Sequence, residues 1–232
     1  MLQPYTYILI NFFTVIVCFI ASFDKRIQFH QYFSAFIGAS SIVATLFICW
    51  DIGFTKMGVW WFNLDYTLGW TLAGLPIEEW LFFYCIPFAC IFTYYCLDKF
   101  FDFTWTIGFN NIIVFVSVIT CSVVALLHHD KIYTLFTAII TVITLIYLHF
   151  YSHKTWISQA SITYVVLMIG FFPVNGILTG TGLESPIVNY NPDEIIGFRM
   201  LTIPVEDAVY GYSMFLLNLY FFKLFAESKD TL

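Results

Sequence analysis

The stretch NLDYTLGWTLAGLPIEE, residues 63–79, recurs 128 positions later as NPDEIIGFRMLTIPVED, residues 191–207. Five of the 17 paired positions are identical: Asn63/Asn191, Asp65/Asp193, Gly69/Gly197, Pro76/Pro204 and Glu78/Glu206. Six more are conservative, among them Trp70/Phe198, Ile77/Val205 and Glu79/Asp207. Chance would give about one identity at ordinary residue frequencies. Tyr84/Tyr212 carries the match further along the chain. Self-similarity at a fixed offset marks two copies of one structural unit, and this pairing frames the rest of the sequence.

Outward from that block, the same shift lays residues 4–23 on 132–151 and 31–50 on 159–178, with the basic turn Lys25–Arg26 on His153–Lys154. A membrane-crossing helix needs ~20 apolar residues to span a hydrocarbon core of ~30 Å. Seven segments qualify: 4–23, 31–50, 76–97, 104–127, 132–151, 157–178 and 204–225. A unit of three crossings ends on the face opposite to its start, so a second copy joined directly would be inverted. The extra segment 104–127 restores the first orientation. The sequence therefore predicts an all-α membrane protein of about seven transmembrane helices, with two parallel three-helix repeats joined by a linker helix. Residues 1–97 form the first repeat, 98–131 the linker and 132–232 the second repeat. Both acidic motifs open on one membrane face. The connection 51–75 carries Trp60, Trp61 and Trp70, which suit a membrane interface; the connection 179–203 is rich in Gly, Asn and Pro, which suit turns.

Composition agrees. Only 10% of the 232 residues are charged and 60% are hydrophobic, with a mean hydropathy of +0.84. A soluble domain carries roughly 25% charged residues, so lipid is the expected solvent. The net charge of −6 and the lack of a basic stripe argue against nucleic acid as a partner. Cys18, Cys49, Cys85, Cys90, Cys96 and Cys121 lie in or beside apolar runs, where cysteine acts as a small hydrophobe rather than a disulfide or metal ligand. The first apolar run has no basic residues before it and no small-residue cleavage site after it, so it reads as a span rather than a cleaved leader. With the N-terminus outside, Lys25, Arg26, Lys99, Lys154, Lys223 and Lys229 fall on the inner side; Lys56, Lys131 and Arg199 fall on the outer. That balance satisfies the positive-inside rule and predicts a multi-pass protein of the cell or inner membrane with a cytoplasmic C-terminus.

The motifs Pro76–Ile77–Glu78–Glu79 and Pro204–Val205–Glu206–Asp207 carry the chemistry. Pro at a helix start followed by acids in the first turn is ordinary capping. These acids, however, sit at the mouths of membrane helices, where an ionised carboxylate is costly and a carboxylic acid keeps its proton. Glu78, Glu206, Glu79 and Asp207 are the candidate catalytic residues, acting as acids or bases. Phe82 and Cys85 lie on the Glu78 face of the first helix, and Tyr210 and Ser213 on the Glu206 face of the second. Phe82, Tyr210, Tyr84 and Tyr212 are expected to contact substrate or support the acids. Asn63, Asp65, Asn191 and Asp193 are expected to fold back and hydrogen-bond them. The 28 Phe, 15 Tyr and 7 Trp include enough rings to line an apolar pocket and stabilise a cation.

The doubled pattern Gly-x6-Pro-[Ile/Val]-Glu-[Glu/Asp] before an aromatic-rich helix resembles the integral-membrane carotenoid (lycopene) cyclases. It is similar to a fused form of their heterodimeric type, and the likeness covers nearly the whole chain. The resemblance implies an isomerase of carotenoid biosynthesis. Such an enzyme closes the linear ends of lycopene into β-ionone rings by acid-initiated cyclisation, giving γ-carotene and β-carotene with no cofactor and no metal. It assigns the chemistry to Glu78, Glu79, Glu206 and Asp207, and the partners to lycopene, other carotenoids and membrane lipid. A homo-oligomer stays open. One departure is that the second motif ends in Asp207 where the first has Glu79, so the two halves need not be equal.

Two other readings compete. Parallel repeats also occur in transporters and lipid-binding modules, although those place acids at the membrane midplane. Asp98-x-x-x-Asp102 resembles the diphosphate–Mg²⁺ motif of an intramembrane prenyltransferase, but it occurs once and on the opposite face. His30, His128, His129, His149 and His153 cluster near helix ends rather than inside the bundle, which disfavours an iron site.

Overall fold

Each apolar segment becomes a helix because only a helix pairs its own backbone groups within a single span in lipid. The structure, a computed structural model, describes residues 3–230, with side chains through Glu227; the side chain of Lys229, counted in the charge balance above, lies outside the described residues. Among the described residues, seven helices are long and apolar enough to cross a membrane. They are α1 (Thr6–Ala21), α2 (Phe33–Met57), α3 (Ile77–Phe100), α4 (Asn110–Leu127), α5 (Ile132–Ile146), α6 (Ile157–Leu178) and α7 (Val205–Asp230). A π-helical turn, Tyr147–Tyr151, extends α5.

Within each repeat the first helix packs on the last: α1 on α3, and α5 on α7. The middle helices cross over. The α2 helix lies against α7 as well as α3, and α6 lies against α3 more than against its own α7. The repeats therefore interlock and enclose the space between them. Helix α4 packs on α5 and α6 and turns Ile112, Val116, Ile119 and Leu126 outward to lipid. Toward the other end of the bundle Phe29 meets Phe88 and Phe92 edge-on at 5.8 and 5.5 Å, a favoured ring geometry.

The two long connections meet on one face. Strand β1 (Trp60–Phe62) pairs antiparallel with β4 (Val188–Tyr190), placing Trp60 opposite Tyr190 and Phe62 opposite Val188. Lys131 Nζ, in the α4–α5 turn, donates to the Asp193 carbonyl at 3.0 Å on the same face. Each connection ends in a small hairpin. Strands β2 (Thr71–Leu72) and β3 (Leu75–Pro76) form the first, with Thr71 opposite Pro76; β5 (Arg199–Met200) and β6 (Ile203–Pro204) form the second, with Arg199 opposite Pro204. The repeat offset thus survives into backbone register. Gly69 and Gly197 have φ of +79° and +86°, a conformation strained for any residue with a Cβ, which accounts for glycine at both positions.

Helix α2 runs seven residues beyond the span 31–50 read from hydropathy, to a left-handed cap at Gly58. This extension places Asp51 on a helix, where it is buried, rather than in a loop.

Seven crossings put residue 25 and residue 198 on opposite faces. Reporter fusions after Lys25 and after Phe198 are expected to report opposite sides of the membrane; same-side signals would contradict the arrangement.

Candidate active site

Both hairpins deliver the chain into a helix in the same way. The Ile77 N–H donates to the Trp70 carbonyl at 2.9 Å, and the Val205 N–H to Phe198 at 3.1 Å. Pro76 and Pro204 end the hairpins and have no N–H to leave unpaired. The next residues begin α3 and α7, each with two acids in its first turn.

The first acid of each pair turns back to its own loop. Glu78 is fully buried, and its Oε1 accepts the Leu68 N–H at 2.6 Å. Glu206 does the same with the Ile196 N–H at 2.7 Å and also accepts Thr134 Oγ1 at 2.6 Å. Residues 68 and 196 are again 128 apart. The Glu78 carbonyl takes a further bond from Asn11 Nδ2 at 2.8 Å, which ties α1 to the start of α3. Glu78 and Glu206 do not line the central cavity.

The second acid of each pair does line it. The cavity measures about 840 Å³ and is bounded by α1, α3, α6, α7 and the β1–β4 ribbon, with Asp51 of α2 and Tyr133 of α5. It follows α3 from Glu79 to Thr93, a run of ~21 Å at helical rise. Most of the wall is apolar. Phe13 and Ile169 belong to the lining yet are 66% and 78% exposed, so the cavity opens to lipid beside α1 and α6. Glu79 Oε2 accepts a short hydrogen bond from the Tyr7 hydroxyl. Its carboxyl also lies beside that of Asp51 on the cavity wall, close enough for the two to interact electrostatically. Asp51 accepts Trp60 Nε1 at 2.6 Å and Thr55 Oγ1 at 3.2 Å. Asp207 accepts two phenols, Tyr133 at 2.8 Å and Tyr190 at 2.9 Å. Burial, with Asp207 beside it, pushes the Tyr190 hydroxyl well above its usual range, which keeps it a donor. The rings of Tyr133 and Tyr190 stack at 5.9 Å, and Trp60 meets Tyr133 edge-on at 5.0 Å. Acids, hydrogen-bond donors and π-faces thus share one largely apolar, lipid-open space.

The residues singled out from sequence fall into distinct roles. Phe82 and Tyr210 line the cavity. Tyr84 instead donates to Ser41 at 3.4 Å, and Tyr212 bonds Ser161 at 2.7 Å, both away from the lining. Asn63 and Asn191 accept the N–H groups of Asp65 and Asp193 at 3.0 and 3.1 Å, closing local turns. Asp65 and Asp193 are exposed. The expected loop-to-acid bond exists, but backbone N–H groups of Leu68 and Ile196 supply it rather than these side chains, which are occupied two residues away. Asp98 accepts Gln159 Nε2 at 2.6 Å while Asp102 accepts the Thr104 N–H at 2.8 Å, so the two serve separate partners.

Asp51, Tyr7, Tyr133 and Tyr190 escaped the sequence reading, and Trp60 entered it only as an interfacial residue. Asp51 had a signal: it is an isolated acid at the end of an apolar run, where an ionisable group calls for a role. The tyrosines had none beyond their number. The repeat pairs Tyr133 with Tyr5, but Tyr5 is half-exposed and Tyr7 supplies the phenol on that side.

A bundle of membrane-crossing helices with paired carboxyls in an aromatic, lipid-open cavity defines a membrane enzyme that acts on an apolar substrate. The family model described as lycopene cyclase matches residues 4–97 and 130–225, both repeats and most of the chain. The chain belongs to the lycopene cyclase family, which gives it a carotenoid-cyclase role, a carotenoid substrate and a place as a multi-pass membrane protein. No curated protein and no solved structure matches it.

Glu78→Ala strands the Leu68 N–H and frees the loop from α3. It is expected to cost about 1–3 kcal/mol, as for a buried hydrogen bond broken on one side. Thermal unfolding in detergent checks this, with Glu78→Gln, which keeps the acceptor, expected to lose less.

Proposed function

We propose that this chain is a lycopene β-cyclase that converts the linear ends of lycopene to β-ionone rings by proton transfer alone, giving γ-carotene and then β-carotene. The observation that carries the reading is the pairing of Glu79 and Asp207, one from each repeat, on the wall of one apolar cavity open to lipid. Lycopene is a hydrocarbon dissolved in the bilayer, and a lateral opening is the route such a substrate needs.

The reaction matches the site. Addition of a proton to C2 of the end group creates a tertiary cation at C1. The C5–C6 double bond attacks C1, closes the ring and moves the cation to C5. Loss of the C6 proton restores a double bond and leaves the oxidation level unchanged. The site must supply an acid, a base, π-faces for the cation and exclusion of water, which would trap the cation as an alcohol. Glu79 and Asp207 exchange protons with the substrate. Glu78 and Glu206 hold the helix starts that aim them, and Trp60, Phe82, Tyr133, Tyr190 and Tyr210 form the wall. With the N-terminus outside and the C-terminus cytoplasmic, both motifs open on the outer face.

Purified protein in liposomes is expected to cyclise lycopene with no added nicotinamide, flavin or metal. A carboxyl group exchanges with water faster than a typical turnover of ~10 s⁻¹. In heavy water each ring should therefore gain one deuterium at C2, raising γ-carotene by one mass unit and β-carotene by two. Rings formed without deuterium would exclude solvent-derived protonation. A requirement for a reduced cofactor would exclude the redox-neutral route, and the absence of any ring would favour a transporter or binding role. Asp102→Asn, remote from the cavity, is expected to leave the rate unchanged.

A further inference from the structure

The two halves of the cavity are built alike, but their acids have different company. On the first side Glu79 has a second carboxyl, Asp51, beside it on the same cavity wall. Both are buried and both line the cavity. Two neighbouring carboxyl groups buried together hold at least one proton between them, because like charges this close cannot both ionise out of water. On the second side the repeat offers no such partner, since the position equivalent to Asp51 is Thr179. Thr179 bonds the Asn175 carbonyl and Thr202 instead. Asp207 is surrounded by donors: both its oxygens accept phenol hydrogens. Hydrogen bonds donated to a carboxylate favour its ionised form.

We infer that Asp51 is a further catalytic residue, the partner with which Glu79 holds the proton delivered to C2, and that Asp207 is the base that removes the proton from C6. This assignment rests on the cyclase reading and divides its acid from its base. The donors to the first pair suit the step: Tyr7, Trp60 Nε1 and Thr55 stabilise the charge left when the proton departs. Each closure moves one proton from the Asp51–Glu79 pair to C2 and one from C6 to Asp207, forms the C1–C6 bond and consumes no electrons. Return of a proton from Asp207 to the pair through solvent resets the site.

Acid and base variants should fail in different ways. Asp51→Asn keeps an acceptor for Trp60 and Thr55 but removes the second carboxyl. In heavy water it is expected to lose ring formation by ~10²-fold or more, the usual share of a positioned acid, and to return lycopene without deuterium. Asp51→Glu, which restores a carboxyl, should recover part of the rate. Asp207→Asn should still protonate the substrate. Its pigment should carry deuterium at C2 and appear as recovered lycopene, as a hydroxylated product from trapped cation, or as a ring that lost its proton from another carbon. Lycopene bound per purified chain, read from its absorption, separates loss of chemistry from loss of fold.

Wild-type ring formation by Asp51→Asn would overturn the inference while leaving the cyclase reading intact. Deuterated lycopene from Asp51→Asn, or unlabelled lycopene from Asp207→Asn, would overturn the division of roles. An Asp51→Glu variant that binds lycopene but is as inactive as Asp51→Asn would reduce Asp51 to a residue of shape. Wild-type protein that forms no ring would remove the cyclase reading and this inference together.

Discussion

A carboxyl group taken out of water must either keep its proton or collect hydrogen-bond donors, and the end of this bundle that carries both motifs is organised by that requirement. Five acids are buried there: Asp51, Glu78, Glu79, Glu206 and Asp207. Two of them meet it structurally through one oxygen each, their second oxygens having no partner. Glu78 and Glu206 take a backbone N–H from the loop ten residues earlier, which pins each long connection onto the helix it precedes. With the loops pinned, β1 and β4 can pair, and their ribbon carries Trp60 and Tyr190 over the acids that remain. The other three satisfy it chemically, with phenols, an indole and one another. Fold and site are two answers to one desolvation problem.

Duplication explains the layout, and its decay explains the division of labour. Backbone features kept their 128-residue spacing: the hairpins, the left-handed glycines, the Pro-ended strands and the loop N–H to glutamate bond. Side chains that face the cavity did not. Tyr7 and Tyr133 play matching parts from non-equivalent positions, and Asp51 has only Thr179 opposite it. Because α2 packs on α7 and α6 lies beside α3, neither repeat encloses the cavity alone. Shared walls let one half specialise without the loss of the other.

The scaffold was legible in the sequence because its determinants are local. Apolar length sets each span, and identities such as Gly69/Gly197 and Pro76/Pro204 follow from backbone demands that any copy of the unit must meet. The motif acids were legible for the same reason, as charges at the mouths of membrane helices. Which acid of each pair faces the cavity was not. Successive helix residues point ~100° apart, and only the packing of α1 and α5 decides which direction is the cavity. Asp51 was hidden by the end of α2, where hydropathy fades seven residues before the helix does. The phenols of Tyr7, Tyr133 and Tyr190 reach the acids from distant parts of the chain, contacts that periodicity does not encode.

Glu79 and Asp207 come from different repeats yet line one cavity, which points to one reaction site rather than two. The most direct test is the rate of first-ring closure in liposomes for Glu79→Gln alone, Asp207→Asn alone and the two together, each normalised to bound lycopene. One shared site predicts that either single variant falls ~10²-fold or more in β-ring formation and that the double variant is little worse, as for residues acting as a unit. Two independent sites would instead leave about half the rate in each single variant and abolish it only in the double, a result incompatible with one shared site.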